Sequence, residues 1–147
     1  MSLNNMPVIE VGGFKGDTDT FFGLFRNYCE SNSQYRGYSK LIQLIESKDL
    51  SEYELFEVTC DQVRCGLAAA KLVDCSIIID VLTVDEEFRG IGVGDALFNA
   101  VINYETFKDA NNFESMALPG DRSTKNFFEQ RKGKASLLIV AGELNRK

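Results

Sequence analysis

An apolar run from Asp80 to Val84 meets an acidic stretch, Asp85-Glu86-Glu87-Phe88, and then the turn Arg89-Gly90-Ile91-Gly92-Val93-Gly94. Glycine adopts positive φ without steric cost and lets backbone approach a ligand closely. A helix that starts at such a turn exposes unpaired N–H groups and the positive end of its dipole, which together attract phosphate. The glycines at 90, 92 and 94, with the Arg89 cation beside them, therefore mark a candidate anion site. A glycine-rich turn that joins strand to helix without any ligand is the alternative. Two other phosphate motifs are excluded. A P-loop needs Gly, four residues, then Gly-Lys-Ser/Thr, and no such run occurs. A dinucleotide fingerprint needs G-x-G-x-x-G and an acid ending the next strand, whereas here the glycines alternate and the next strand runs into Pro119-Gly120.

Asp80 is the second chemically suggestive residue. It interrupts an otherwise apolar strand, where an unpaired charge is costly. A solvated position or a structural ion pair would also account for it. The 147 residues contain no histidine. Ser-His-Asp and Cys-His arrangements are thus impossible, and proton transfer falls to carboxylate, tyrosine, lysine, cysteine or water. The four cysteines (29, 60, 65, 75) show no CxxC spacing, so no metal site is expected. Reduced cysteines suit a cytoplasmic protein. A net charge of −6 argues against nucleic acid and leans toward cationic partners such as amines. No apolar run approaches the ~20 residues of a membrane span. With 44% hydrophobic residues, 1–147 reads as a single domain, Met1-Ser2-Leu3 being set aside as a cloning remnant.

Several elements must position these groups. Residues 7–11 read as a strand (β1). After the capping run Asp17-Thr18-Asp19-Thr20, Phe21, Phe22, Phe25, Tyr28 and Cys29 recur at helical spacing (α1), and 41–45 belongs to a second helix (α2). Runs 53–60 (β2) and 63–73 (β3) meet at Asp61-Gln62, a hairpin signal, and 76–84 (β4) is strongly apolar. A helix over 92–110 (α3), a strand over 113–118 (β5), a helix over 123–131 (α4) and a strand over 135–141 (β6) complete the order β1-α1-α2-β2-β3-β4-α3-β5-α4-β6. Only the β4-α3-β5 crossover demands parallel strands, so the sheet should be mixed.

Arg89-x-x-Gly92-x-Gly94 resembles the acyl-CoA pyrophosphate loop of the GCN5-related N-acetyltransferase (GNAT) family, in which Gln or Arg precedes Gly-x-Gly/Ala by two residues. The strand Leu82-Thr83-Val84 before it, the apolar helix positions Leu97, Val101 and Tyr104 after it, and Phe127-Phe128-Glu129 in place of a Phe-Tyr-Glu run extend the similarity. The resemblance implies an α+β acyl-CoA N-acyltransferase fold whose fourth and fifth strands splay to admit acyl-CoA. It also implies an N-acetyltransferase that uses acetyl-CoA as cosubstrate and a small-molecule or peptide amine as acceptor. The family's seventh strand is missing or comes from a partner, as in a homodimer, because only 142–147 remain after β6.

The resemblance further assigns roles. Backbone from Gly90 to Gly94, through Ile91, Gly92 and Val93, holds the pyrophosphate with Arg89, while pantetheine pairs with backbone at Leu82, Thr83 and Val84. The Leu82 amide or its neighbour then takes the thioester oxygen. Asp80 is the first candidate for general base, and Glu54 and Glu57 are weaker ones. Family members often carry a tyrosine where this chain has Phe128, which has no proton to give. Tyr104 or Ser123 substitutes, the thiolate leaves unaided, or the domain is a catalytically silent acyl-CoA-binding module. Lys125, Arg131 and Lys132 are candidates for a nucleotide phosphate, and Tyr35, Arg36 and Tyr38 for the acceptor side.

Overall fold

A computed structural model describes residues 6–137, 139–140 and 142–144. Five strands form one mixed sheet in the order β1 (Ile9–Gly13), β2 (Glu54–Cys60), β3 (Val63–Val73), β4 (Ser76–Val84) and β5 (Asn112–Glu114). Neighbours are antiparallel until the last pair, β4 and β5, which is parallel. Asp61 and Gln62 both adopt positive φ, 50° and 70°, as a two-residue hairpin with strand-matched twist requires. Asp61 Oδ1 also accepts from the Val8 N–H at 2.9 Å, which ties the hairpin tip to β1.

Helices cover both faces. Helices α1 (Thr18–Cys29) and α2 (Tyr38–Glu46) pack Phe21, Phe25, Ile42 and Ile45 against Leu67, Ala69 and Val81. On the opposite face α3 (Val93–Ile102) buries Val93, Leu97, Phe98 and Val101 against Phe56, Val58, Ile77 and Ile79. Asp17 starts α1 by accepting from the Thr20 N–H at 2.7 Å. Asp121 does the same for α4 (Arg122–Glu129), accepting from the Thr124 N–H at 3.1 Å.

Val81 breaks the alternation of β4. Ala69 pairs with Val81, but Ala70 pairs with Ile79, so Asp80 is the extra residue of a β-bulge. Ile77 and Ile79 pack with α3, whereas Val81 packs with α1 and α2. Beyond the bulge Leu82 and Val84 return to the α3 face. A second slip between Val58 and Thr59 sits further along β2.

Three expectations need correction. Helix α3 ends at Ile102, not near 110, and the side-chain amide of its C-cap Asn103 folds back to the Asn99 carbonyl at 2.9 Å. The chain then turns so that Phe107 enters the α3-side core. Strand β5 pairs only over 112–114, because the Ser115 hydroxyl takes the Ile79 carbonyl at 2.8 Å and the backbones part from there. The strand expected over 135–141 is not formed at its described residues, 135–137, 139 and 140; residues 138 and 141 lie outside the described part. A strand needs an edge to pair with, and β5 offers one only three residues long. Leu137 and Val140 are accordingly 86% and 85% exposed.

Gly66 marks how closely β3 is enclosed beside the bulged strand. A Cβ there would sit 2.7 Å from Val58 Cγ1 and 2.8 Å from the Thr83 carbonyl oxygen. Gly66→Ala is therefore expected to destabilise the fold by about 1–3 kcal/mol, the usual range for overpacking. Chemical denaturation of the two proteins checks this, and an unchanged midpoint would show that β3 yields freely.

Candidate active site

After Ile78 no strand of the described residues pairs with β4 on its β5 side, and a cleft of about 390 Å3 opens between the two diverging segments. One wall is β4 from Asp80 to Val84; the other is 115–118, with Ser115, Met116, Ala117 and Leu118. Arg89, Gly90, Gly92 and Gly94 also line it, as do Phe25, Cys29, Asn32 and Leu41 from the α1–α2 side.

The phosphate-type end is built by a single turn. Asp85 accepts from the Glu87 N–H at 3.1 Å and so initiates the short helical turn Glu86–Phe88. Gly90 and Gly92 then adopt φ of 82° and 95°, the left-handed region where a side chain is strained. Gly92 is the N-cap of α3, and no side chain of the described residues caps that terminus. The first N–H groups of the helix are thus left to an external acceptor. Gly94 has a second purpose: a Cβ there would come 3.2 Å from Phe127 Cε2, so its absence lets α4 pack on α3. Of the nine residues expected to hold the cosubstrate, Leu82, Thr83, Val84, Arg89, Gly90, Gly92 and Gly94 line the cleft. Val93 is buried in the core instead, and Ile91 is exposed at the loop tip.

Asp95, in the first turn of α3, places a carboxylate where an anion is expected. Arg131 pairs with it, donates to the Phe127 carbonyl at 2.7 Å and stacks on the Phe127 ring at 3.6 Å. The ion pair offsets the unfavourable charge and clamps α4 to α3. Arg131 is therefore occupied, and Lys125 pairs with Glu129 at 3.9 Å. Lys132 sits in the turn beyond α4 at a φ of 69°.

The other carboxylates of the cleft and Cys29 are also engaged. Asp80 Oδ2 accepts from the Tyr53 hydroxyl at 2.5 Å and faces Lys48 Nζ at 3.6 Å. Oδ1 accepts no hydrogen bond from the described residues. Burial, with the Asp80 hydrogen bond second, pushes the Tyr53 phenol well above its ordinary range, so it stays protonated and donates. Asp121 is 6% exposed and spends both oxygens on Thr124. Cys29 donates weakly to Thr83 Oγ1 at 4.0 Å, and burial pushes its thiol up to about 11.

Several other candidates fall away from the cleft. Glu57 binds Arg64 at 3.1 Å, and Glu54 accepts from the Tyr104 hydroxyl at 3.1 Å; none of the three lines the cleft. Tyr35 packs on Gly120, while Tyr38 lines a separate hollow on α1. Ser123 does line the cleft, as do Phe127 and Phe128, whose rings stack with Phe98 and Phe113. Sequence reasoning missed Cys29, Asn32, Leu41 and Met116, which carry no motif and meet only through the fold.

No family model matches the chain, and no curated protein matches it. Solved structures do. An aminoglycoside N-acetyltransferase, AAC(6′)-Iy, in complex with a CoA bisubstrate analogue superposes with a TM-score of 0.62 at 16% identity, covering 95% of this chain and 99% of that one. The ribosomal-protein-S18-alanine N-acetyltransferase of Escherichia coli gives 0.62 at 11%, covering 88% and 80%. An aminoglycoside acetyltransferase from an uncultured soil metagenomic sample, in complex with sisomicin, gives 0.60 at 18%, covering 99% of each. This chain has the GNAT fold. Its mixed sheet, parted between β4 and β5, is the architecture that the resemblance in the sequence implies.

The Cys29 thiol offers a check on how the cleft is solvated. Because burial raises its pKa to about 11, the reactive thiolate is present above that pH and scarce below it. At pH 8 roughly one thiol in a thousand is ionised. Iodoacetamide at pH 8 is expected to label the exposed Cys75 long before Cys29, with Cys29 gaining reactivity as pH rises toward 11. Peptide mass spectrometry reads this, and equal labelling rates at pH 8 would show an open, hydrated thiol.

Proposed function

We propose that the protein is an N-acetyltransferase that moves an acetyl group from acetyl-CoA to a primary amine by direct attack. The observation that carries this is one continuous cleft joining an uncapped helix N-terminus at Gly92 to an unpaired strand edge at Asp80 to Val84. Pyrophosphate suits the first and an extended pantetheine amide chain the second. The GNAT fold and the CoA ligands of its solved neighbours support the same assignment.

In this reading the N–H groups from Gly90 to Gly94 and the Arg89 guanidinium bind the pyrophosphate. The free edge at Leu82 to Val84 aligns the pantetheine, and the Leu82 amide polarises the thioester oxygen, a contact worth ~3 kcal/mol in the transition state. An alkylammonium of pKa about 10.4 must lose a proton before it attacks. Asp80 accepts that proton through Oδ1, directly or through water, since Oδ2 is taken by Tyr53 and Lys48. The C–N bond forms, the C–S bond breaks, and CoA leaves as a thiolate of pKa about 8.5, which needs little protonation. Ser123 is the hydroxyl among the sequence candidates that lines the cleft, and it serves as proton donor where one is used. The fold neighbours named for small-molecule and for protein acceptors agree with an amine as the receiving group.

Gly92→Asp puts a carboxylate on the helix cap. Calorimetry is expected to find CoA affinity lost while circular dichroism shows the fold retained; wild-type protein that ignores millimolar CoA would defeat the proposal. Asp80→Asn keeps the size and removes the basicity, so kcat for amine acetylation is expected to fall by about 10²–10⁴. The deficit should narrow at high pH, where more acceptor is already neutral. Near-normal turnover by the variant at pH 7 would transfer the proton to water. If CoA binds but no amine elicits thiol release, the chain is an acyl-CoA-binding module instead.

A further inference from the structure

The geometry points to the acceptor being a monoamine on an apolar body, such as an arylalkylamine or the N-terminus of an apolar-led peptide, rather than a polycation. This deepens the acyl-transfer reading and rests on it. The reasoning starts from the carboxylates. A polycationic amine is held by several carboxylates, each neutralising one ammonium without being neutralised already. Three carboxylates line the cleft: Asp80, Asp95 and Asp121. Asp95 is paired with Arg131, and Asp121 is buried with both oxygens on Thr124. Asp80 is likewise paired, with Lys48, while its Oδ1 accepts no hydrogen bond from the described residues. The cleft thus offers one amine an acceptor and a second ammonium no carboxylate that is both accessible and unpaired.

Asp80 itself meets the Tyr53 hydroxyl and Lys48, but much of the cleft lining from the α1–α2 side is apolar. Phe25, Leu41, Met116 and Leu118 line the cleft, with Cys29 and Asn32. Leu41, Met116 and Leu118 are half-buried, so part of their surface remains to be covered by a bound molecule. The Cys29 thiol is neutral at physiological pH and adds no charge. A second ammonium placed there would lose hydration and gain no partner, whereas an alkyl or aryl group would gain contact. The acidic surface draws all amines toward the protein alike, so discrimination falls to the cleft.

Thiol release from acetyl-CoA is measured with 2-phenylethylamine, Leu- and Met-led peptides, spermidine and sisomicin. Calorimetry repeats the series on CoA-saturated protein and reads the preference without turnover. The apolar monoamines should exceed spermidine and sisomicin by at least tenfold in kcat/KM and in affinity. Leu41→Glu, which adds a free carboxylate, should shrink that ratio at least tenfold while CoA affinity stays normal. A polycation that binds as tightly as the monoamines overturns the acceptor assignment, as does a ratio untouched by Leu41→Glu. Absence of thiol release with every amine, when the binding order holds, defeats acyl transfer alone.

Discussion

The site depends on β4 losing its neighbour at Ile78 and slipping by one residue at Asp80. Within a sheet each backbone N–H and C=O is claimed by the next strand, so no ligand can compete for them. Where β5 departs, the edge from Asp80 to Val84 is released, and the Ser115 hydroxyl covers the Ile79 carbonyl at the fork. The bulge acts on side chains as the fork acts on backbone. It turns Asp80 and Val81 toward α1 and α2, then returns Leu82 and Val84 to the α3 core. One inserted residue thus puts a carboxylate beside the freed edge without leaving a large apolar side chain exposed.

Electrostatics at the glycine turn work against the proposed anion before helping it. The uncapped N-terminus of α3 favours an anion, yet Asp95 lies in its first turn and favours repulsion. Arg131 resolves the conflict from α4, half enclosed by Phe98 and Phe127. Burial lowers the pKa of that guanidinium, but no plausible shift deprotonates it near neutral pH. The same contact fixes the helix that carries Phe127 and Phe128, so charge balance at the loop and packing of α4 are one arrangement.

Legibility in the sequence followed how local each signal was. The turn from Arg89 to Gly94 was readable because positive φ at Gly90 and Gly92 is demanded by neighbouring residues alone. The Asp61-Gln62 hairpin and the mixed sheet were readable for the same reason. Asp80 stood out as a polar interruption, but its bulge did not, because a register slip exists only relative to β3. The early ends of α3 and β5 were hidden too: one is set by Phe107 reaching the core, the other by Ser115 bonding across to β4. The apolar pattern over 135–141 looked like a strand because pattern records what a strand would bury, not whether an edge is there to receive it.

Phe128 shows where the proposed chemistry resides. In place of a hydroxyl it offers a ring that packs on Phe98, Phe113 and Phe127, which ties α4 to α3 and β5. A tyrosine would add acid catalysis to a step whose leaving group, a thiolate of pKa about 8.5, already departs readily. The demanding tasks are to hold pyrophosphate, align an amide chain and polarise a carbonyl, and in the proposed mechanism backbone performs most of all three. Backbone groups constrain sequence only through glycine conformation, a bulge and a fork in the sheet. A chain can therefore share this fold with neighbours at 11% to 18% identity. In the proposed mechanism the side chains of the cleft are left to set which amine fits.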